Sequence, residues 1–296
     1  MRCRNLIITS SLCWLSFLWT GCSMVTRGVI QGTDHDSPKA IVSPNPEHEL
    51  LLLHTADGVK IIAQFGRALD ANNLPLTDYA HRPTVIYCYP GGYTLQRSEK
   101  QFEEFRRLGV NVIIPEYPGF GMSEGRPSEK GCYAAADAAY AHLLSRTDID
   151  QQQIIAAGWS VGGGVAVDLA SRQQLSGVIV ISTSTQMGDV VRKMAAESGS
   201  WSWVPGWLVT LMVSDCQLDT LAKIPAVACP ILLIHGTADE LVPKEMADRL
   251  AAAAKSKVTR YAVEGAKHGD VFTVGGTPLW QTIGEWLKSD VPRPRD

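Results

Sequence analysis

The apolar positions divide the chain into three regions. They are dense, though interrupted by Ser and Thr, from Leu6 to Leu18, sparse from Met24 to Glu47, and regular from about residue 48 to residue 290. At the start of the third region the runs "LLLHT" and "VKIIAQF" flank Asp57-Gly58. Asp-Gly supplies the positive φ that a tight turn requires, so the pattern predicts an antiparallel hairpin there.

After Pro83, short apolar runs alternate with longer segments that have apolar residues at helical spacing. The runs are "TVIYCY", "VNVIIP", "QIIAAG", "GVIVIS" and "ILLIHG". Uninterrupted runs of this length are typical of strands that are buried on both faces. The helical segments are 96–108, 128–145, 161–173 and 243–254, and Ser128 with Glu129 and Pro243 with Glu245 indicate two of their starts. The alternation predicts an α/β fold, a mostly parallel sheet with helices on both faces.

One segment interrupts this alternation. Roughly forty residues separate "VISTS" from "ACPILLIHG", which is more than compact domains usually leave between neighbouring elements, and about residues 184–224 are predicted to form a lid. The segment contains "WSWVPGWLVTLM", with Trp201, Trp203 and Trp207. These side chains can form a helix face packed on the core or an apolar lid over a site for acyl chains, and the two interpretations are compatible.

The amino-terminal region has the features of a targeting segment. Arg2 and Arg4 precede an apolar stretch that is too short to cross a bilayer, so residues 1–22 are interpreted as a secretory signal. The end of this segment, "LWTGCS", resembles a bacterial lipoprotein cleavage box in which Cys22 becomes the lipidated first residue, although Trp19 stands where an aliphatic residue is usual. The alternative is a signal anchor that stays uncleaved.

The lipoprotein resemblance implies a location. In such lipoproteins a residue other than Asp after the lipidated cysteine goes with outer-membrane sorting, and here that residue is Ser23. We therefore expect an outer-membrane protein of the bacterial cell envelope that faces the periplasm, with the membrane as a partner through the lipid anchor. Residues 23–47, rich in Gly, Asp, Ser and Pro, are predicted to be a flexible tether, and 291–296 a tail.

The composition gives no electrostatic case for nucleic-acid binding. The chain is 45% apolar and 19% charged, with a formal net charge of −3, so a small molecule is the expected partner. The cysteines of the predicted domain, Cys88, Cys132, Cys216 and Cys229, lack metal-ligand spacing, and no disulfide pair is predicted among them. We expect neither a metal nor an organic cofactor, and the oligomeric state is left open.

A candidate nucleophile lies between a predicted strand and a predicted helix. Gly158-Trp159-Ser160-Val161-Gly162 has the G-x-S-x-G pattern, in which a serine on a strained strand-to-helix turn serves as nucleophile. Small residues can also serve packing alone, because glycine lets a helix lie close on a sheet.

Two further residues complete a candidate catalytic set with Ser160. Asp239 follows the strand "ILLIHG", and His268 lies in the loop after the next strand. Because the carboxyl ends of parallel strands line one edge of a sheet, these loops can bring an acid, a base and a nucleophile together. His235 is interpreted as a satisfied, partly buried histidine, and Asp270 as the cap of the following helix.

A hydrolase of this kind also needs donors for the oxyanion. The backbone N–H of Val161 is one candidate, and Gly92 or Tyr93 in "YPGGY" supplies the second, although an ordinary Pro-Gly turn explains these glycines equally well. The substrate-pocket candidates are Gly91, Trp159, Tyr117, Trp201, Trp203 and Trp207, with core packing as the alternative for Tyr117.

From about Leu51 to Leu287 the chain resembles the BEM46-like group of α/β-hydrolases, close to the α/β-hydrolase domain-containing lipid and thioester hydrolases. The resemblance rests on "YPGGY", "VIIPEYPGFGMSEGRPSEKGCYAAADAAYAHL", "GWSVGGGVAVDLA", "ILLIHGTADELVP" and "GAKHGD", in the order of that group. The chain departs from the group at Pro90-Gly91-Gly92, where His-Gly-Asn is common. The resemblance implies an α/β-hydrolase fold over residues 48–290 with a short lid.

The predicted activity is cleavage of an acyl ester, thioester or lipid through an acyl-enzyme on Ser160, with His268 as base and Asp239 as its orienting acid. One alternative is a peptidase of the prolyl-oligopeptidase type, although such proteins normally carry an added propeller that this length cannot contain. The other is a non-catalytic envelope scaffold that keeps the fold.

Overall fold

A computed structural model describes residues 48–197 and 216–291, together with Ile30. One eight-stranded sheet, in the order β1-β2-β4-β3-β5-β6-β7-β8, forms its centre. The strands are β1 (His48–His54), β2 (Lys60–Gly66), β3 (Thr84–Cys88), β4 (Asn111–Pro115), β5 (Ile154–Trp159), β6 (Gly177–Ile181), β7 (Ile231–Gly236) and β8 (Val258–Val263). The predicted α/β class and the five apolar strands after Pro83 are confirmed.

The antiparallel part of the sheet is confined to its amino-terminal edge. β1 pairs with β2 from His48 opposite Gly66 to His54 opposite Lys60, and β2 pairs antiparallel with β4. The remaining pairs are all parallel. The hairpin that Asp57-Gly58 predicts is therefore present, and Gly58 has the expected positive φ of 85°.

The helices cover both faces of the sheet. They are α1 (Glu99–Arg107), α2 (Glu129–Ser145), α3 (Val161–Arg172), α4 (Met187–Glu197), α5 (Thr220–Lys223), α6 (Lys244–Ala253) and α7 (Val271–Ser289), with a kink in α7 at Gly276. As predicted, Ser128 caps α2, because its Oγ accepts a hydrogen bond from the Gly131 N–H at 3.0 Å. In the part of the chain that the structure describes, no helix combines the length and apolar character needed to cross a bilayer.

The core extends beyond the predicted domain. Ile30 is fully buried although it falls within residues 23–47, which the sequence assigns to a tether. Its carbonyl oxygen accepts a hydrogen bond from the Gly92 N–H at 2.8 Å. The other residues of the predicted tether, the signal segment with Cys22, and residues 292–296 lie outside the described residues.

The insertion after β6 leaves and rejoins the domain at neighbouring points. The Met187 N–H donates to the Gln217 carbonyl at 2.7 Å, and the Leu221 N–H donates to the Thr185 carbonyl at 2.9 Å. Glu129 of α2 also accepts from the Gln217 N–H at 2.6 Å. Trp201, Trp203 and Trp207 of the predicted lid lie outside the described residues.

Candidate active site

Ser160 lies on a sharp turn between β5 and α3. Its φ of 54° and ψ of −118° are strained for a residue with a side chain, and strain of this kind persists only where the surroundings enforce it. The surroundings are close here: a Cβ on Gly158 would come within 2.0 Å of the Gly162 carbonyl oxygen. A Cβ on Gly162 would come within 2.0 Å of the Cys88 carbonyl oxygen. The small residues of this segment therefore serve both packing and the exposure of the serine.

Hydrogen bonds to the main chain of Ser160 fix the turn. Its N–H donates to the Ile181 carbonyl at 2.9 Å, and its own carbonyl accepts from the Gly163 N–H at 3.0 Å. The Thr183 hydroxyl donates to the same carbonyl at 3.1 Å. The neighbouring strand β6 and the first turn of α3 thus hold the serine from both sides.

The structure brings together Ser160, Asp239 and His268, which the sequence predicts as a catalytic set. His268 Nε2 lies 2.9 Å from Ser160 Oγ, and His268 Nδ1 lies 2.8 Å from Asp239 Oδ2. The second oxygen of Asp239, Oδ1, accepts from the Val242 N–H at 2.8 Å, and Asp239 is buried. A serine, an imidazole and a buried carboxylate in this sequence of hydrogen bonds can transfer a proton from the hydroxyl.

The loops that carry the acid and the base are bonded to each other. The Thr237 N–H donates to the Val263 carbonyl and the Ala238 N–H to the Ala266 carbonyl, each at 3.0 Å. On the base side, Asp270 Oδ1 accepts from the Lys267 N–H at 2.6 Å. Asp270 is the N-cap residue of α7, as predicted, but its side chain makes no capping hydrogen bond to the helix. It stabilises the turn that holds His268.

The candidate oxyanion donors differ in whether their backbone N–H groups already have a hydrogen-bond acceptor. Val161 is the first residue of α3, where a backbone N–H has no acceptor within the helix. The Gly92 N–H donates to Ile30, and the Tyr93 N–H lies 3.3 Å from the Pro90 carbonyl oxygen. A second donor from this loop therefore stays a prediction, and it requires one of these bonds to be exchanged for the substrate oxygen.

Aromatic rings flank the serine on one side. The Trp159 ring lies 5.3 Å from the Tyr93 ring, 5.4 Å from Phe272 and 6.5 Å from His268, measured between centroids. Phe272 is a residue near the site that no sequence motif indicates. The available signal is its position four residues after His268, in the first turn of α7. Within residues 48–197 and 216–291, Trp159 Nε1 is buried without a hydrogen-bond partner.

Two other pocket candidates have different surroundings. Tyr117 is fully buried, and its hydroxyl donates to the Tyr89 carbonyl at 3.0 Å. It belongs to the core, as the alternative interpretation holds, and not to the wall of an open pocket. Gly91 is half-buried in the loop after β3.

The buried carboxylate of Glu116 is hydrogen-bonded to the loop after β3. Glu116 follows β4, and its two oxygens accept from the Leu95 N–H at 3.4 Å and the Met122 N–H at 2.8 Å. Burial raises the pKa of Glu116 to about 7, against the opposing effect of these hydrogen bonds. Glu116 therefore links the loop after β3 to the loop after β4.

One histidine and two carboxylates in the described part of the chain have the spacing of metal ligands. They are His48, Glu99 and Glu103. Arg106 Nη1 lies 2.7 Å from His48 Nε2 and 2.6 Å from Glu103 Oε1, so a guanidinium already supplies positive charge there. The candidate triad does not include any of these residues.

A mostly parallel sheet that presents serine, acid and base in this chain order at the carboxyl ends of its strands defines the α/β-hydrolase class. The sequence comparison agrees with the fold. The chain belongs to the alpha/beta hydrolase family, whose sequence profile matches residues 87–274.

Three known proteins illustrate the similarity. Alpha/beta hydrolase domain-containing protein 17B of Xenopus laevis is 32% identical over 228 residues, which are 77% of this chain and 71% of that protein. The Pyrococcus furiosus esterase Pf2001 superposes with a TM-score of 0.71 at 18% identity, over 86% of this chain and 97% of the esterase. A puromycin-hydrolyzing peptidase of Mycobacterium tuberculosis superposes with a TM-score of 0.65 at 16% identity, over 86% of this chain and 42% of the peptidase.

Proposed function

We propose that the protein is a serine hydrolase that cleaves carboxylic esters or thioesters through an acyl-enzyme on Ser160. The observation that carries the proposal is the continuous set of hydrogen bonds from Ser160 Oγ through His268 to the buried Asp239. The strained backbone of Ser160 and the burial of the Asp239 carboxylate both reduce the stability of the fold. A catalytic role explains why the chain retains them.

The proposed reaction has two steps. His268 Nε2 takes the proton as Ser160 Oγ attacks the acyl carbon, and the Val161 N–H stabilises the developing oxyanion. His268 then gives the proton to the leaving alcohol or thiol. Water deprotonated by His268 attacks the acyl-enzyme, and the acid is released as the hydroxyl of Ser160 regains its proton. Asp239 orients the imidazole and stabilises its cation throughout.

The aromatic side chains near Ser160 favour an acyl substrate. Tyr93 is partly exposed and packs on the buried Trp159, which in turn packs on the buried Phe272, so Tyr93 offers an apolar surface of the kind that an acyl chain requires. The fold is shared with the Pyrococcus furiosus esterase, whose name denotes the same chemistry. We also propose that Cys22 is lipidated and holds the protein on the outer membrane, facing the periplasm, where membrane lipids are available as substrates.

Amide hydrolysis is the second candidate activity. The observation that favours it is the superposition on a puromycin-hydrolyzing peptidase, although this chain covers 42% of that larger protein. A panel of matched p-nitrophenyl esters and p-nitroanilides of the same acyl groups separates the two activities, since only the leaving atom differs. The ester proposal predicts turnover of the esters alone, whereas turnover of the anilides above the uncatalysed rate supports the amide candidate.

The direct test is labelling with a fluorophosphonate, which reacts with an activated serine. The wild-type chain is compared with Ser160→Ala, His268→Ala and Ser145→Ala, the last being an exposed serine on α2 as the matched control. We expect labelling of the wild type and of Ser145→Ala only. Labelling that survives Ser160→Ala contradicts the mechanism, and a folded wild type that is never labelled supports the scaffold alternative.

The anchor proposal has its own test. Cells expressing the wild type or Cys22→Ser are fed an alkyne-bearing palmitate analogue and fractionated. Incorporation that depends on Cys22, with the protein in the outer-membrane fraction, is the expected result. Incorporation in the Cys22→Ser variant excludes this residue as the anchor.

A further inference from the structure

The imidazole of His235 closes the loop that carries Asp239. His235 is the fifth residue of β7 and is 7% exposed. Its Nε2 lies 2.7 Å from the carbonyl oxygen of Val242, at the far end of the loop. A carbonyl oxygen can only accept, so Nε2 carries the hydrogen and donates it.

Val242 in turn holds the candidate acid. Its N–H donates to Asp239 Oδ1 at 2.8 Å, which leaves Oδ2 directed at His268 Nδ1, also at 2.8 Å. A movement of Val242 would therefore rotate the carboxylate away from the imidazole that it orients. The hydrogen bonds run without interruption from His235 through Val242, Asp239 and His268 to Ser160.

His235 does not compete with His268 for the acid. Its Nε2 lies 3.7 Å from Asp239 Oδ2, which is too long for a hydrogen bond. Burial lowers the pKa of His235, so the ring is neutral near neutral pH and has a single N–H, which is committed to Val242.

We propose that His235 is a positioning residue for the triad, because its Nε2–H fixes Val242 and through it the orientation of Asp239 toward His268. This inference rests on the proposed serine hydrolase function. It gives His235 a role beyond that of a satisfied buried histidine, and it requires a donor at the position of Nε2 and not at that of Nδ1.

A cavity of about 380 Å³ lies next to His235. Its lining includes His235, Thr237, Lys244 and Tyr261. Because His235 is part of this lining, we expect removal of its imidazole to leave a space that opens into the cavity. Added imidazole can then enter and restore the hydrogen bond to the Val242 carbonyl.

The test compares two amides in the full-length chain. The amide nitrogen of His235→Gln reaches the position of Nε2, whereas that of His235→Asn stands at the position of Nδ1. With a p-nitrophenyl ester we expect Asn to lower kcat about 10- to 100-fold with KM within about twofold, since small misplacements of catalytic groups have effects of this size. We expect Gln to stay within about threefold of the wild type, and imidazole to accelerate His235→Ala.

His142→Gln is the matched control, because His142 lies on α2 outside the hydrogen-bond network. Equal kcat values for the Gln and Asn variants overturn the proposal, as does a failure of imidazole to accelerate a folded His235→Ala. A second readout does not need turnover: the low-field proton resonance of the bond between His268 and Asp239 is expected in the wild type and Gln, and not in Asn. A wild type that shows this resonance but no labelling contradicts the proposed function alone, and a resonance that persists in Asn contradicts the positioning role.

Discussion

Ile30 provides the sharpest test of the architecture, because the sequence places it in a tether and the structure places it in the core. We expect a chain that begins at residue 48 to be less stable than one that begins at residue 24. Burying an isoleucine side chain contributes about 1.5–3 kcal/mol, and the hydrogen bond from the Gly92 N–H to the Ile30 carbonyl adds about 0.5–1.5 kcal/mol. The expected loss in the free energy of unfolding is therefore about 2–4.5 kcal/mol.

Point variants separate these two contributions. Ile30→Ala removes the side chain but keeps the main-chain carbonyl, so it should lower the free energy of unfolding by about 2–4 kcal/mol through the lost burial and the resulting cavity. Leu74→Ala is the matched control, because Leu74 is 57% exposed, and a change within about 0.5 kcal/mol is expected.

The assay is urea unfolding followed by tryptophan fluorescence, with both chain lengths at the same protein concentration. Equal free energies of unfolding for the chains that begin at residues 24 and 48 would refute the reasoning. An Ile30→Ala variant as stable as Leu74→Ala would refute it independently of any effect of chain length.

Other predictions concern the site and its supports. Gly162→Ala should prevent folding or destabilise the protein by more than about 4 kcal/mol, because the added Cβ would meet backbone atoms of Cys88. Gly269→Ala is the control, since no atom lies within 4 Å of its added Cβ, and it should show the circular dichroism spectrum of the wild type. Because the pKa of Glu116 is about 7 in the folded protein and near 4.5 when unfolded, the folded state binds more protons between these values. The free energy of unfolding should thus fall by on the order of 2–3 kcal/mol as pH rises from 4.5 to 7, and Glu116→Gln should lack this component in denaturant titrations at pH 5 and 7.5. Asp239→Asn should lower kcat by about 10⁴-fold with little change in the unfolding midpoint, and a loss below tenfold would argue against its orienting role. Burial raises the pKa of the Cys88 thiol to about 12, so iodoacetamide at pH 8 should modify it, as followed by peptide mass, only after unfolding.

The sequence predicts those parts of the fold that have a strong local signal. The inner strands are continuous apolar runs because both of their faces are buried, as in β5 and β7. β8 (Val258–Val263) has no such run, because it is an edge strand in which partly buried and exposed residues alternate. The loop that carries His268 implies a strand before it, but the sequence pattern does not define where that strand begins and ends.

In the candidate site, too, only the residues with a local sequence signal could be predicted. Ser160, Asp239 and His268 could be predicted because each follows a strand and the carboxyl ends of strands meet at one edge. Phe272 could not, because its approach to Trp159 depends on how α7 packs. The hydrogen bond from the Gly92 N–H to the Ile30 carbonyl joins residues that are 62 positions apart, and no motif indicates it.

The insertion after β6 has a consequence for how proteins of this architecture can diverge. Its ends are joined by the bonds between Met187 and Gln217 and between Thr185 and Leu221, so the chain departs and returns without separating β6 from β7. The entropy of bringing the ends together changes only slowly with the length between them. Evolution or an engineer can therefore replace residues 198–215 with a sequence of different length while the sheet and the serine turn stay as they are, provided that the core residues Val190 and Cys216 on either side are kept.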